Sequence, residues 1–284
     1  MTEPTLDISF IGCGSAGRAL GRLLAKAGVP IRGVSCRSDD SARDACRFME
    51  QGTPMAAPEA AASARTIIIA TPDRAIGEVD GTIGPSVNEE SVVLHLSGAL
   101  SSSILTASSA AGARIGSMHP LQSFPDPRKA LELVGGSVFA CEGDAEAVRR
   151  ATAIAVTVGG RPIAIGTDTK PLYHAAAVAA SNFLVSILCL SVDLMEKTGM
   201  DRQTALDALM PLIEGTLKNA RSQGLPQALT GPVERGDTHT VHTHIEAIRT
   251  LCPELEEKYQ ALTGMTIDAA LRKGSITKEK AAEF

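Results

Sequence analysis

Short runs of branched apolar residues alternate with amphipathic stretches through the first half of the chain. Residues 6–11, 31–36, 66–70, 92–96, 114–118 and 137–141 read as strands. Several are unbroken β-rich runs, the pattern of parallel strands covered on both faces. After the first run, a stripe of Ala19, Leu20, Leu23 and Leu24 predicts a helix that Gly28 ends. Residues 145–158 predict a further helix and 161–165 one more short strand. The alternation predicts a doubly wound, mostly parallel α/β sheet as far as residue 165.

Beyond residue 166 the alternation stops. Residues 170–198 predict one long helix, with Thr169 as its N-cap and Pro171 in its first turn. Residues 201–219 predict another, interrupted by Pro211, and residues 238–251 and 255–263 two more, with a short terminal helix over 276–284. Two domains are therefore expected, an α/β domain over 1–165 and an all-α domain over 166–284. Residues 171–192 carry no Asp, Glu, Lys or Arg and are long enough to cross a bilayer. The polar residues His174, Ser181, Asn182, Ser186 and Ser191, and the segment's isolation, predict instead a helix buried in protein, with no membrane partner.

The connection after the first strand carries the most chemistry. Gly12-Cys13-Gly14-Ser15-Ala16-Gly17 has G-x-G-x-x-G spacing between a strand and a helix. Gly12 permits a tight turn, Gly14 lets the backbone approach a pyrophosphate, and Gly17 lets the helix pack on the strand. The free amides at the helix start, with the helix dipole behind them, would hold the phosphates. A dinucleotide is the expected ligand; a tight turn without a ligand is the bland alternative.

In NAD-binding versions of this turn an acidic residue near the end of the second strand takes the ribose hydroxyls. Here the position reads Ser35-Cys36-Arg37-Ser38. Arg37 can hold a 2′-phosphate and Ser38 can add a hydroxyl donor, which favours NADP(H) over NAD(H). Asp39 and Asp40 lie close enough to supply the acid if the loop shifts by two residues.

Composition narrows the field. The chain has 284 residues and a net charge of −5, so it carries no basic footprint for nucleic acid. Its six cysteines show no metal-ligand spacing, and a disulfide at Cys13 would obstruct the turn. Reduced thiols and a cytoplasmic location are expected. The N-terminus lacks the basic start and apolar core of a signal peptide.

Three connections follow the C-terminal ends of strands and would line one crevice: Thr71-Pro72-Asp73, Ser97-Gly98-Ala99 and His119-Pro120-Leu121. The first two are expected to touch the cofactor and the third the substrate; ordinary turn chemistry would use the same residues. On the long helix, Lys170, His174 and Ser181 fall within about 40° of one another at 100° per residue. A lysine, a histidine and a hydroxyl can thus face one cleft, while Asn182 points about 120° from Lys170. A lysine in a first turn meets an unfavourable dipole, which suits acid/base work. The bland alternative is a surface lysine and a satisfied interior histidine. In residues 229–237, Thr230, Gly231 and Arg235 form part of a shaped loop. There Arg235 can clamp a carboxylate, or the loop simply connects helices, with Asp237 or Thr238 capping the next one. His239, His242 and His244 cannot share a helical face, so no metal site is expected.

Four segments carry a wider resemblance. These are residues 95–100 (H-L-S-G-A-L), 118–124 (M-H-P-L-Q-S-F), 170–182 (K-P-L-Y-H-A-A-A-V-A-A-S-N) and 229–237 (L-T-G-P-V-E-R-G-D). The chain resembles Rossmann-like proteins with a C-terminal domain of unknown function 2520. The resemblance implies an NADP-type Rossmann domain and a helical domain, of the 6-phosphogluconate-dehydrogenase-like kind, that forms a homodimer. The architecture is similar to ketopantoate reductase, pyrroline carboxylate reductase and the β-hydroxyacid dehydrogenases. In the last of these a helix-borne lysine, with asparagine four residues on, works at the substrate oxygen. Lys170 matches the lysine, and His174 stands where the asparagine would be.

The expected function is an NADP(H)-dependent oxidoreductase acting on a small carbonyl, imine or hydroxy compound. Lys170 would move the proton with His174 relaying, and Arg235 or His119 would hold the substrate's polar end. The alternatives are an NADP(H)-sensing module without turnover and a non-redox enzyme that uses the nucleotide structurally.

Overall fold

A computed structural model describes residues 6–124 and 126–284. The elements of the first part are β1 (Ile8–Ile11), α1 (Ser15–Lys26), β2 (Ile31–Ser35), α2 (Asp39–Met49), β3 (Thr53–Pro54), α3 (Ala57–Ala62), β4 (Thr66–Ile69), α4 (Ile76–Ile83), β5 (Val92–His95), α5 (Thr106–Ala110), β6 (Arg114–Pro120), α6 (Pro127–Val134), β7 (Val138–Gly143), α7 (Ala145–Thr157) and β8 (Arg161–Ala164). They are followed by α8 (Lys170–Glu196), α9 (Arg202–Gln223), α10 (Thr238–Leu251), α11 (Glu256–Lys273) and α12 (Lys278–Ala281).

One eight-stranded sheet runs in the order β3-β2-β1-β4-β5-β6-β7-β8. Every neighbouring pair is parallel except β6–β7, which is antiparallel. Strand order reverses between β1 and β4, and this switch point opens a crevice beyond the strands' carboxyl ends. Every residue of β1, β4 and β5 is buried, because helices cover both faces. Alternate side chains serve opposite cores: Ile8, Phe10, Ile68 and Leu94 join one cluster, and Ile11, Ile67, Ile69 and Val93 the other.

The expected strands and helices are present, with a few differences. The two-residue β3 carries no apolar run and is exposed, so pattern alone does not reveal it. β6 continues through His119 and Pro120, which therefore sit in the strand rather than in a turn after it. Thr169 does not cap α8; it closes a single 3-10 turn, Thr167–Thr169, donating its hydroxyl to the Gly166 carbonyl at 2.9 Å. Pro211 lies inside α9 without ending it, and α11 runs well past residue 263.

The chain divides into two compact units, 1–180 and 181–284, with the seam between them inside α8. The second unit has two small cores, one around Leu190, Ile248, Cys252 and Leu255, the other around Val233, Val241, Ala270 and Ile276. The expectation that the apolar long helix would be buried is not met within this chain. Only 11% of its most apolar stretch is buried, because few side chains besides Leu190 and Val192 are covered. This helix is long and apolar enough to cross a membrane by length and composition.

Candidate functional site

The glycine turn has the geometry that its spacing predicts. Gly12 has φ +81°, a left-handed conformation costly for other residues, and a β-carbon there would sit 2.4 Å from Thr71 Cγ2. A β-carbon on Gly17 would meet Ala70 Cβ at 2.8 Å, so its absence lets α1 lie against the end of β4. Gly14 is different: apart from its chain neighbours, no atom of the described residues lies within 4 Å of where its β-carbon would be, and the residue is exposed. The backbone there opens into free space.

Gly14 is also the N-cap of α1, with no side chain capping the helix and no acid in its first turn. The first amides of α1, from Ser15, Ala16 and Gly17, are thus left for an anion. Across the turn, Thr71 Oγ1 is buried without a hydrogen-bond partner among the described residues. An unpartnered buried hydroxyl beside an open helix N-terminus suits a phosphorylated ligand. These residues fit a dinucleotide.

Arg37 is exposed just past β2, and among the described residues no carboxylate pairs with it. Ser38 caps α2, its hydroxyl accepting from the Ser41 amide at 3.3 Å. Asp39 and Asp40 occupy the first turn of α2, where the helix dipole favours them. Pro72 and Asp73 are exposed after β4. Ser97 Oγ accepts from the Ala99 and Leu100 amides at 3.2 and 3.0 Å, so it shapes its own turn.

Beside this turn lies a polar row that sequence reasoning missed. His95, Ser117 and Glu142 are register partners on β5, β6 and β7, hence neighbours on one face of the sheet. All three are buried. Lys170, in the first turn of α8, lies against them and is also wholly buried. Its Nζ donates to Ser117 Oγ and stands 3.3 Å from Glu142 Oε1. Glu142 further accepts from the Ser102 amide at 2.8 Å, the Ser102 hydroxyl at 2.7 Å and the Thr167 hydroxyl at 3.0 Å.

Burial works against both charges, yet it does not win at Glu142. Hydrogen bonds from Ser117 and Ser102, the Lys170 charge and the Thr167 hydroxyl hold its carboxyl below the usual range. Burial lowers the Lys170 ammonium from its ordinary value, with Glu142 pulling the other way. The signal that could have pointed to this network is a lone Glu and a lone Ser interrupting otherwise apolar strands.

The half-buried side chains of the crevice are His119, Tyr173 and His174. His119 Nδ1 lies 2.9 Å from the Tyr173 hydroxyl, and the His119 and His174 rings meet edge to face with centroids 6.0 Å apart. Both rings close on Gly98, where a β-carbon would be 2.6 Å from His174 Nδ1 and 2.8 Å from His119 Nε2. Gly98 therefore admits two imidazoles that any side chain would displace. His95 Nε2 and His174 Nδ1 are buried without partners among the described residues. Burial, and then the Lys170 charge, push His95 and His119 down to about 4, so both are neutral at pH 7. Burial pushes Tyr173 up to about 12.

Other expected site residues lie elsewhere. Pro120 is buried as the last residue of β6, paired with Phe139. Ser181 and Asn182 are exposed residues of the second unit. Of the loop over 229–237, Thr230 and Arg235 are exposed, and Gly231 has φ +101°. Val233 is anchored in a core, Lys273 Nζ binds the Leu229 carbonyl and Glu234, each at 2.8 Å, and Asp237 caps α10. His244 pairs with the Tyr259 hydroxyl at 2.9 Å.

Residues 1–120 match the family described as a Rossmann-like domain, and residues 137–266 match the Domain of unknown function DUF2520. A comparison with curated protein sequences found no match. Among solved structures, protein TM1727 from Thermotoga maritima is 28% identical with a TM-score of 0.77, over 94% of this chain and 99% of that one. A candidate NADP oxidoreductase, BF3122 from Bacteroides fragilis, is 23% identical with a TM-score of 0.73, over 93% and 98%. A reductive aminase from Aspergillus terreus, in complex with NADPH4, cyclohexanone and allyl amine, is 18% identical with a TM-score of 0.66, over 99% and 98%. At these identities the last two likenesses establish the fold.

Proposed function

Because the chain joins a Rossmann-like domain to a DUF2520 domain, we propose that it is an NADP(H)-dependent oxidoreductase acting on a small carbonyl, imine or hydroxy-acid substrate. The observation that carries this reading is the uncapped start of α1, open at Gly14, in the same unit as the His119–Tyr173–His174 cluster. Two of the solved structures with this fold are described as an NADP oxidoreductase candidate and an NADPH-bound reductive aminase, which supports the same class of chemistry.

In this reading the α1 amides and the Thr71 hydroxyl hold the pyrophosphate, and Arg37 takes the 2′-phosphate by a charge-assisted fork. The bound nicotinamide would supply or accept the hydride. The protein's own task is to orient the substrate and handle one proton. His119 is suited to it as a neutral imidazole: with Nδ1 on the Tyr173 hydroxyl, its Nε2 can accept a proton from a substrate hydroxyl. In the other tautomer it donates to a carbonyl oxygen or imine nitrogen. His174 stands beside it as the second imidazole. Lys170 acts from beneath as a fixed positive charge held by Glu142, keeping the nearby imidazoles neutral rather than meeting the substrate itself.

The test is a titration of the purified protein with NADPH and NADH, followed by an absorbance screen of small ketones, 2-keto acids and cyclic imines with NADPH. Tighter binding of NADPH and consumption with at least one class are expected. Equal affinity for the two cofactors defeats the NADP assignment. Binding without any consumption fits a sensor instead.

We also propose that two copies associate through the second unit. Phe183, Val185 and Ile187 of α8, Leu212 and Leu217 of α9, and Met265 of α11 are all exposed in the single chain. Large apolar side chains left open to water in this number favour burial against another chain.

A further inference from the structure

Two arginines lie one turn apart on α1, and they are satisfied differently. Arg18, Gly21 and Arg22 stand at i, i+3 and i+4, so they share one face of the helix. That face lies on α2: a β-carbon on Gly21 would meet Met49 Sδ at 2.5 Å, and Arg22 Nη1 donates to the Met49 carbonyl at 3.3 Å. Arg22 also pairs with the Glu50 carboxylate. Arg18 has no such partner. Its Nε donates to the Cys13 carbonyl at 3.0 Å, and among the described residues its two terminal nitrogens make no hydrogen bond and no carboxylate pairs with it. The residue is nevertheless half-buried.

Its place is set by the strands. Ile11 and Ser35 are the last register partners of β1 and β2, and the Gly12 amide donates to the Ser35 carbonyl at 2.7 Å. Cys13, whose carbonyl holds Arg18, therefore leaves the sheet beside Cys36 and Arg37. Gly17 faces the end of β4 through Ala70, whereas Arg18 shares the face turned toward α2 and the exit of β2. A cation here opposes the dipole of α1, and no acid in the first turn offsets it. An anion from outside the chain would.

We propose that Arg18 is a second cation for the 2′-phosphate of the cofactor and sets the preference for NADP(H) together with Arg37. The proposal rests on the reading of the glycine turn as a cofactor site. Ser38 is poorly placed to help, because its hydroxyl donates to Ser41 Oγ at 3.0 Å and accepts from the Ser41 amide at 3.3 Å. Asp39 and Asp40 follow at once and repel a phosphate, and Arg43 lies 3.9 Å from Asp39. Arg37 alone would thus face a phosphate monoester, carrying nearly two negative charges, next to two carboxylates. Arg18 adds positive charge from the α1 side, and its planar terminal nitrogens suit a pair of phosphate oxygens. A cofactor with a bare 2′-hydroxyl has no charge for it to meet.

The full-length chain is titrated with NADPH and NADH by cofactor fluorescence, and bound NADPH is competed with 2′,5′-ADP and with 5′-AMP. Arg18→Met is expected to weaken NADPH and 2′,5′-ADP by about tenfold or more, the scale of a hydrogen bond to a charged group, while NADH and 5′-AMP change by less than about twofold. Retained NADH binding shows that the turn is intact. Arg18→Lys keeps the charge without the fork and should hold an intermediate preference. Arg22→Met, on the same face but paired with Glu50, should leave the NADPH to NADH ratio unchanged. Should Arg18→Met lose NADH as well, Arg18→Gln, which retains a donor, decides by the same ratio. Equal loss of both cofactors in Arg18→Met and Arg18→Gln alike, or no loss in either, overturns the role of Arg18. A ratio that falls as far with Arg22→Met overturns it too. Failure of the underlying reading looks different: the unaltered protein then binds neither cofactor, or binds both equally, and the proposal falls with it.

Discussion

Lys170 Nζ lies 3.3 Å from Glu142 Oε1, and neither side chain has any exposure to solvent. Removing one partner strands the other charge in a medium that cannot solvate it. Lys170→Met or Glu142→Gln alone is expected to cost about 3–5 kcal/mol of stability. The double variant should recover much of that loss, since no unpaired charge remains. Urea unfolding of the three variants checks it, and additive losses would mean that the two charges are not coupled.

Two glycines of one turn should fail in different ways. Gly12→Ala introduces a β-carbon at φ +81° and at 2.4 Å from Thr71 Cγ2, so it should lower the melting temperature. Gly14→Val meets no atom of the described residues beyond its chain neighbours within 4 Å of its β-carbon, so melting should barely change while NADPH affinity collapses. Thermal melts paired with cofactor titration separate the two.

Tyr173→Phe removes the hydroxyl from His119 Nδ1 and frees the ring's tautomer. Turnover should fall with little change in NADPH affinity. His119→Ala should cost more, about 10²–10⁴ in kcat, the usual span for an acid/base group. Single-turnover rates of hydride transfer measure both, and unchanged rates in His119→Ala would remove it from the reaction.

Acid should unfold the protein through its neutral histidines. In the unfolded chain these groups take up protons below about pH 6.5. In the folded protein His95 and His119 do so only near 4. The unfolded state binds more protons in that window, so stability falls as pH drops through it. For His95, which is fully buried, the loss between pH 8 and pH 5 is about 2 kcal/mol. Urea midpoints across this range give the slope, and a flat profile would contradict it.

The exposed apolar side chains of α8 make their own prediction. Light scattering of the purified protein should give twice the 29.5 kDa chain mass. Replacing Phe183 and Val185 with Glu should shift that mass toward the monomer.

Much of this molecule is legible in its residues because local physics decides it. Ile67, Ile68 and Ile69 can hardly be anything but a strand covered on both sides, and the spacing of Gly12, Gly14 and Gly17 fixes a turn. What was not legible depends on partners remote in sequence. A single Glu within Val138–Gly143 reads as noise until the register sets it beside Ser117 and the start of α8 brings Lys170 to it. The antiparallel sense of β7 is set by the path of the chain and not by residue type. Its place on a helix marks Lys170 in the sequence, but its seclusion follows from the sheet beneath it. His119 and Tyr173 meet only because a strand end and a helix start converge.

The seam between the two units falls inside α8, ten residues after Lys170. The N-terminal half is therefore not modular at the point where its last strand stops. A fragment ending at residue 165 would keep the Glu142 carboxylate and discard its counter-charge. Transplanting the nucleotide half into another protein would have to carry the opening turns of the following helix along with it.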